Sequence, residues 1–374
     1  MGDPRRGRRV AFLAAQPTQF DAPFFRFAHA TGTAAITVMY LRCDPADPEL
    51  AHKLDWGIDL FSGYDHVAVP AGGRVRWLRG ELRPEKYDWL ILNGYTTRPY
   101  LAALLIARMR GIRTGLRIDS VLFNAAGAAR RARKRVILSV LDKLFERFFA
   151  VGTLAREYLE HFGIAGSKIS LFPYLVDAGR FSPAPGDAAR SAMRARFGLP
   201  PGVRVVLAVA KMNAREAPWD LVDALAGLAA PDVWTVLVGA GDQLEAVRAS
   251  VASKGVERVA FAGYVPYPEL GDFYAMADVF VHAAADEPWG VSVHEAIASG
   301  LPVIASSRVG AGRDLIVEGR NGFVYEHGHP DQLRRCIADA LDRLDPRAVR
   351  EENSRLLEQW GHARTWSAML EALR

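Results

Sequence analysis

The chain has 374 residues, half of them hydrophobic; that is enough for two ordinary domains with a core each, and no apolar run approaches the ~20 residues of a membrane-spanning helix. Its two cysteines, Cys43 and Cys336, fall in separate predicted domains, so they imply no disulfide framework and fit a reducing cytoplasm. The net charge of +5 hides an asymmetry, because residues 1–185 hold 27 Lys and Arg against 17 Asp and Glu while residues 186–374 hold 20 against 25; an anionic partner, a membrane surface or a phosphorylated ligand, is expected for the first half.

The charged start MGDPRRGRR leads into an apolar run too short for a signal peptide, so Val10–Ala15 is read as a first strand with the loop Gln16–Asp21 at its carboxyl end. Ile36–Leu41 is a second strand. Between Leu54 and Tyr64 the aromatic, acidic, Gly-punctuated segment LDWGIDLFSGY reads as a long loop. Such loops often line binding sites, which makes Asp55, Trp56, Asp59 and Tyr64 candidates for ligand contact, with packing of the aromatics as the other reading. Tyr87–Leu92, a helix over 98–110 and a strand at Arg113–Arg117 continue a β/α alternation. The chain leaves that strand through Asp119, and ligands of open α/β sheets sit at strand carboxyl ends, so Asp119 is a site candidate unless it caps the next helix.

Arg130–Arg135, RRARKR, opens the segment VILSVLDKLFERFF. Its apolar spacing is helical, and two readings stay open: a core helix with a solvated basic end, or a helix lying on a membrane interface. The basic residues are too spread out for a nucleic-acid module. Phe148–Gly152 is another strand, and the composition of SPAPGD, residues 182–187, marks a linker with a domain boundary near residue 185.

The alternation restarts with the strand Val203–Ala210, followed by Lys211, Arg215 and Glu216 at the start of a helix. Trp234–Gly239 is the next strand; Gly239 and Gly241 in its turn are a lone G-x-G, with no ribose-binding acid at the usual spacing. Val259–Gly263 precedes Tyr264 and Val265. Then Val279–Ser307 reads as a buried strand, an acidic loop, a short helix closed by Gly300, and a second apolar strand. Glu287 and Glu295 are separated by seven residues, with Gly290 at the turn between them. This layout aims the N–H groups of Gly290, Val291 and Ser292 at whatever lies above the strand ends, a favourable place for a phosphate. Carboxylates on either side accept hydroxyl groups. A phosphate flanked by hydroxyls is the pattern of a nucleotide sugar.

The ordered succession E-P-W-G, E-A, S-G-L-P-V-I-A, G-x-G and N-G-F-V, from Glu287 through Asn321, resembles the E-x7-E signature of retaining GT-B glycosyltransferases. The likeness covers most of residues 150–340 and only thinly the first 120. It implies an α/β GT-B fold with two Rossmann-like α/β/α domains facing a cleft: 1–185 for the acceptor, 186–355 for the donor, and 356–374 as a helix crossing back onto the first. Pro173, Asp177 and Phe181 match the segment that closes the first domain. By the same resemblance Lys211 takes the first of two basic positions on the donor diphosphate. Glu216 stands where relatives carry Lys, and a carboxylate near a diphosphate is repelled by several kcal/mol at low effective dielectric; Glu216 is therefore expected to point away, with Arg215 taking over the phosphate role.

Glu295 is expected to accept ribose hydroxyls and Glu287 those of the sugar, with Trp289 and Gly239 beside the donor and the backbone of Tyr264 and Val265 framing its base. Asp119 is the catalytic candidate on the acceptor side with Lys211, Arg215 and Glu287 on the donor side, and Gln16, Asp55 and Tyr64 join Asp119 as acceptor contacts. The loop QPTQFDAP replaces the glycine-rich loop of many relatives. No metal is expected, because His282, His294, His327 and His329 lack ligand spacing, and no cofactor beyond the nucleotide-sugar substrate. The acceptor is a glycan, a lipid-linked molecule or a small molecule. A GT-B protein that binds sugar nucleotides or a protein partner without turnover, and an oxidoreductase of doubly wound fold, are the competing readings.

Overall fold

Strands covered by helices on both faces are apolar along their whole length, and WLIL at Trp89–Leu92 and VFVH at Val279–His282 are buried at every position. The computed structural model describes residues 8–43, 56–125, 127–181 and 187–374. These form two compact units, one running to Leu175 and resuming at Trp360–Arg374, the other spanning Val176–Gln359.

The first unit contains β1 (Arg8–Ala14), α1 (Asp21–Ala30), β2 (Ala34–Tyr40), β3 (His66–Ala68), α2 (Arg74–Glu81), β4 (Trp89–Leu92), α3 (Arg98–Met109), β5 (Arg113–Ile118), α4 (Ala128–Leu144), β6 (Arg147–Ala150), α5 (Thr153–His161) and β7 (Ile169–Leu171). The second contains α6 (Asp187–Arg196), β8 (Arg204–Val209), α7 (Trp219–Ala226), β9 (Val233–Val238), α8 (Leu244–Ser253), β10 (Val259–Gly263), α9 (Leu270–Met276), β11 (Val279–His282), α10 (Val291–Ala298), β12 (Val303–Ser306), α11 (Gly310–Leu315), β13 (Gly322–Tyr325), α12 (Pro330–Arg343) and α13 (Pro346–Gln359), and α14 (His362–Ala372) returns to the first unit.

The first sheet has the order β3-β2-β1-β4-β5-β6-β7 and the second β10-β9-β8-β11-β12-β13. Every neighbouring pair is parallel. In each sheet the order reverses once, beside β1 in the first and beside β8 in the second. At such a switch point the loops leaving two adjacent strands diverge, and the gap between them is where doubly wound sheets hold ligands. Helix periodicity matches this burial: in α12 Leu333, Ile337 and Ala340 point inward at helical spacing, and Pro330 opens the helix where its missing N–H costs nothing.

The stretch 356–374, expected as one helix, holds the end of α13 and the whole of α14. The chain breaks at Gly361, which is extended (φ −92°, ψ 174°); α13 packs on α10 in the second unit, while α14 joins the core of the first. There Trp366 is buried against Phe24, and its Nε1–H donates to the hydroxyls of Thr31 (3.1 Å) and Thr33 (2.8 Å). The last carbonyls of the helix are met by cations, Arg8 on Leu370 at 3.1 Å and Arg147 on Ala372 at 2.7 Å, and Trp89 Nε1–H donates to Leu373 at 3.0 Å.

Candidate functional site

In the second unit the loops leaving β8 and β11, the strands at the switch point, are tied to each other. The carbonyl of Arg215 accepts the N–H of Ala285 (2.8 Å) and Asp286 (3.2 Å), and the Arg215 guanidinium returns to the Asp286 carboxylate (3.2 Å) and carbonyl (3.0 Å). Asn213 folds the first loop by accepting the N–H of Arg215 and Glu216 on its Oδ1. Gly290 begins α10 in the left-handed region (φ +100°), and a Cβ there would lie 2.8 Å from Val309, so the turn demands glycine twice over. No side chain caps the first turn of α10, and its leading N–H groups are free of intrahelical acceptors.

Burial sets the chemistry of the acids around that turn. Glu287 accepts the Trp289 N–H at 3.2 Å. Burial, and then the charge of Glu216, push its carboxyl up to about 7 against the opposing pull of that amide, Lys211 and Arg215. Glu295 is 4% exposed; burial raises it to about 7 although the Tyr274 hydroxyl donates to it at 2.7 Å. Both acids therefore change charge near neutrality. Beneath Gly290 lies His282, lowered to about 4 by burial and so a neutral ring at pH 7; its Nδ1 is 3.4 Å from the Ser292 hydroxyl.

Glu216 does not point away, and that expectation is corrected. It is buried, with its carboxylate 3.4 Å from Lys211 Nζ, and its charge acts on both Glu287 and His282. The Asn213 turn aims it inward, and the 76% exposed Lys211 side chain reaches over it. The loop therefore carries two cations, each already facing an acid.

The other sequence candidates separate. Gly239 serves backbone packing, since a Cβ there would meet the Ala210 carbonyl at 1.9 Å. Tyr264 and Val265 follow the edge strand β10, the former exposed, and neither joins the Lys211–Glu287 group by a hydrogen bond or ion pair among the described residues. In the first unit Gln16 and Asp119 line one cavity of about 590 Å³ at the carboxyl ends of β1, β4 and β5. Tyr64 does not reach it. It sits in the core with its hydroxyl on those of Tyr40 and the Leu60 carbonyl, because the apolar ring fills the space beside Phe25. Asp55 lies outside the described residues. Asp119 accepts the Tyr174 hydroxyl at 3.1 Å.

Residues 189–356 match the model of the family described as Glycosyl transferases group 1. Over these residues the chain is similar to that family. The matched group 1 region contains every donor-side candidate, from Lys211 to Glu295. Over 183 residues the chain is 34% identical to a GDP-mannose-dependent alpha-(1-6)-phosphatidylinositol monomannoside mannosyltransferase of Mycolicibacterium smegmatis, covering 46% of each chain. It is 32% identical over 242 residues to a D-inositol 3-phosphate glycosyltransferase of Kineococcus radiotolerans, covering 59% of this chain and 54% of that one. The alignments thus span about half the length of the curated relatives. Among solved structures, Anabaena Alr3699/HepE in complex with UDP and glucose superposes with a TM-score of 0.75 at 17% identity over 98% of this chain and 99% of that one, and a glycosyltransferase from Rickettsia africae with 0.76 at 14% over 98% of both. The fold is GT-B, with two Rossmann-like domains.

Sequence reading missed a buried pair that shapes the cavity of the first unit. Arg117, on β5, reaches Asp21 at 2.6 Å and the carbonyls of Phe172 (3.0 Å) and Pro173 (2.6 Å), with its guanidinium 3.8 Å from the Phe172 ring. An Arg set between Leu116 and Ile118 in a strand is the signal that marks it.

Proposed function

We propose that this chain is a retaining glycosyltransferase that moves a sugar from a nucleoside diphosphate sugar to an acceptor held by the first unit. The observation that carries the reading is the convergence, at the switch point of the group 1 domain, of two cations, an uncapped helix start and two acids poised near neutrality. Curated relatives named as GDP-mannose-dependent and inositol-phosphate enzymes, and the UDP and glucose bound to the Anabaena protein, support it.

As the glycosidic bond to the leaving phosphate breaks, negative charge grows on the diphosphate and positive charge on the anomeric carbon. Lys211, Arg215 and the N–H groups of Gly290, Val291 and Ser292 are the donors for the first, which makes transfer independent of a metal ion in this reading. Glu295 accepts ribose hydroxyls and Glu287 those of the sugar. A Glu287 carboxyl near neutrality also repels an incoming diphosphate less than a full carboxylate. Asp119 and Gln16 face the acceptor, a glycan, a lipid-linked molecule or a small molecule. The basic helix α4 fits work on the cytoplasmic face of a membrane.

The test has two steps. Nucleotide sugars are screened for protection against thermal unfolding, and the protecting donor is used to compare turnover of wild type and Arg215→Ala. We expect a loss of about 2 to 4 kcal/mol in transition-state stabilisation, the scale of one preorganised donor. Protection without turnover by wild type favours a binding protein, and near-normal turnover in the variant removes Arg215 from the phosphate.

A further inference from the structure

The cavity of the first unit has an unbalanced charge. Arg42, Arg117 and Lys134 line it against two carboxylates, Asp21 and Asp119. Arg117 and Asp21 are both buried and neutralise each other at 2.6 Å. Asp119 is exposed and engaged by the Tyr174 hydroxyl. Arg42 and Lys134 are half-buried, and neither forms an ion pair among the described residues. The Arg42 guanidinium donates to the neutral Oε1 of Gln16 at 3.3 Å, an acceptor that leaves its charge uncompensated. Most other cations of this unit that lie near an acid take it, as Arg9 takes Asp88, Lys168 takes Asp142 and Arg113 takes Glu146.

The two cations reach the cavity from separate elements. Arg42 follows β2 and is fixed by its N–H on the Ala15 carbonyl at 2.9 Å, which holds it against the loop leaving β1. Lys134 comes from the second turn of α4. On the same wall the exposed Asp119 carboxylate lines the space, while the Oδ1 of Asn93 is buried and accepts no hydrogen bond among the described residues. A half-buried guanidinium and ammonium facing one space, with an acceptor oxygen beside them, recognise a group that is anionic at one end and carries hydroxyls at the other. Arg supplies the fork and Lys the point charge that phosphate oxygens take. At about 590 Å³ the space is of the size that holds a compact polyol phosphate.

We propose that this cavity binds the acceptor through a phosphate monoester or diester set between Arg42 and Lys134, with Asp119 accepting a hydroxyl of the polyol that bears it. The acceptor role rests on the glycosyltransferase reading; the anion site itself does not. The phosphate belongs either to a soluble sugar or inositol phosphate or to a lipid headgroup, and the experiment separates these.

Binding of inorganic phosphate, fructose 6-phosphate, myo-inositol 1-phosphate and the two unphosphorylated parents is measured by calorimetry on the full chain, with UDP or GDP saturating so that phosphate sites in the second unit are closed. A parallel arm measures sedimentation with phosphatidylcholine vesicles containing either phosphatidylinositol or an equal fraction of phosphatidylglycerol, which matches the surface charge. We expect a phosphorylated polyol to bind at least about tenfold tighter than its parent, or the phosphatidylinositol vesicles than the phosphatidylglycerol ones, and Arg42→Gln and Lys134→Gln each to lose about that factor, one charge-assisted contact. Arg42→Lys, which keeps the charge but not the fork, recovers part of the loss. Unchanged melting temperatures and unchanged UDP or GDP affinity in the variants show that fold and second unit are intact. Equal binding of phosphorylated and parent compounds by wild type, or variants that bind as wild type does, overturns the proposal while leaving the donor reading standing; loss of nucleotide binding with phosphate selectivity retained does the reverse.

Discussion

Glu295 shows what one buried acid does to the pH dependence of the whole chain. Its carboxyl stands at about 7 in the folded state against an ordinary value of 4.5. The unfolded chain therefore releases this proton first as pH rises, and the folded state loses stability across the window from 4.5 to about 7, with no further change above it. The size is on the order of 3 kcal/mol. We expect Glu295→Gln, which keeps a hydrogen-bond acceptor for Tyr274, to abolish that part of the slope: the stability difference between variant and wild type should move in the variant's favour by about this amount between pH 4.5 and 7.5 in denaturant titrations. A constant difference refutes the shift. Asp21 is the opposite case, since its removal strands Arg117 in a buried position; Asp21→Ala should cost about 3 to 5 kcal/mol by the same measurement, and Asp21→Ala combined with Arg117→Met should recover much of it. The placing of Glu287 and Glu295 on either side of the Gly290 turn is legible because Gly290 and the seven-residue spacing are local features. The pairs Arg117–Asp21, 96 residues apart, and Tyr274–Glu295, 21 apart, are products of strand order, which no window of sequence contains.

Elements follow the same division between local and distant causes. Long apolar strands and the α/β alternation were readable, because a strand buried on both faces writes an uninterrupted apolar run. The short strands β3, β7 and β13 were not, for they lie at sheet edges with three or four residues each and at most two of them buried. The break in the last helix is hidden for a related reason: α13 and α14 are both amphipathic, and only the unit each one packs against separates them at Gly361. That return makes α14 an energetic part of the first unit. Trp366 is 3% exposed in a cluster with Phe24, Phe25 and Phe172, so Trp366→Ala should cost about 3 to 5 kcal/mol. Trp366→Phe keeps most of the apolar volume but leaves Thr31 and Thr33 without their shared donor, and should cost about 1 to 2 kcal/mol. Melts of the two variants that coincide with wild type would show that α14 merely rests on the unit.

For the molecule as a whole, the uneven charge has a definite location. Among the described residues no helix is long and apolar enough to cross a membrane, yet α4 carries Arg130, Arg131, Arg133, Lys134 and Arg135 with no acid before Asp142. On the same helix Val136 and Val140 are 65% and 51% exposed. On α3, which shares a hydrophobic cluster with α4, Leu101, Leu105 and Met109 are exposed at i, i+4 and i+8. A solvated basic end explains the arginines alone; it does not explain apolar side chains turned to water on two helices of one layer. We propose an anionic bilayer as the partner that would account for both, since each basic residue near such a surface contributes about 1 kcal/mol and apolar side chains can enter the headgroup region. Wild type should therefore sediment with vesicles containing phosphatidylglycerol and not with pure phosphatidylcholine. Changing Arg130, Arg131, Arg133 and Arg135 together to Gln, with Lys134 kept, should lower partitioning by about two to three orders of magnitude. Val136→Ser with Met109→Ser should weaken it further at high salt, where charge is screened and apolar contact is what remains. Partitioning that ignores lipid charge, or that survives the fourfold change, would return α4 to the role of a core helix with a wet end.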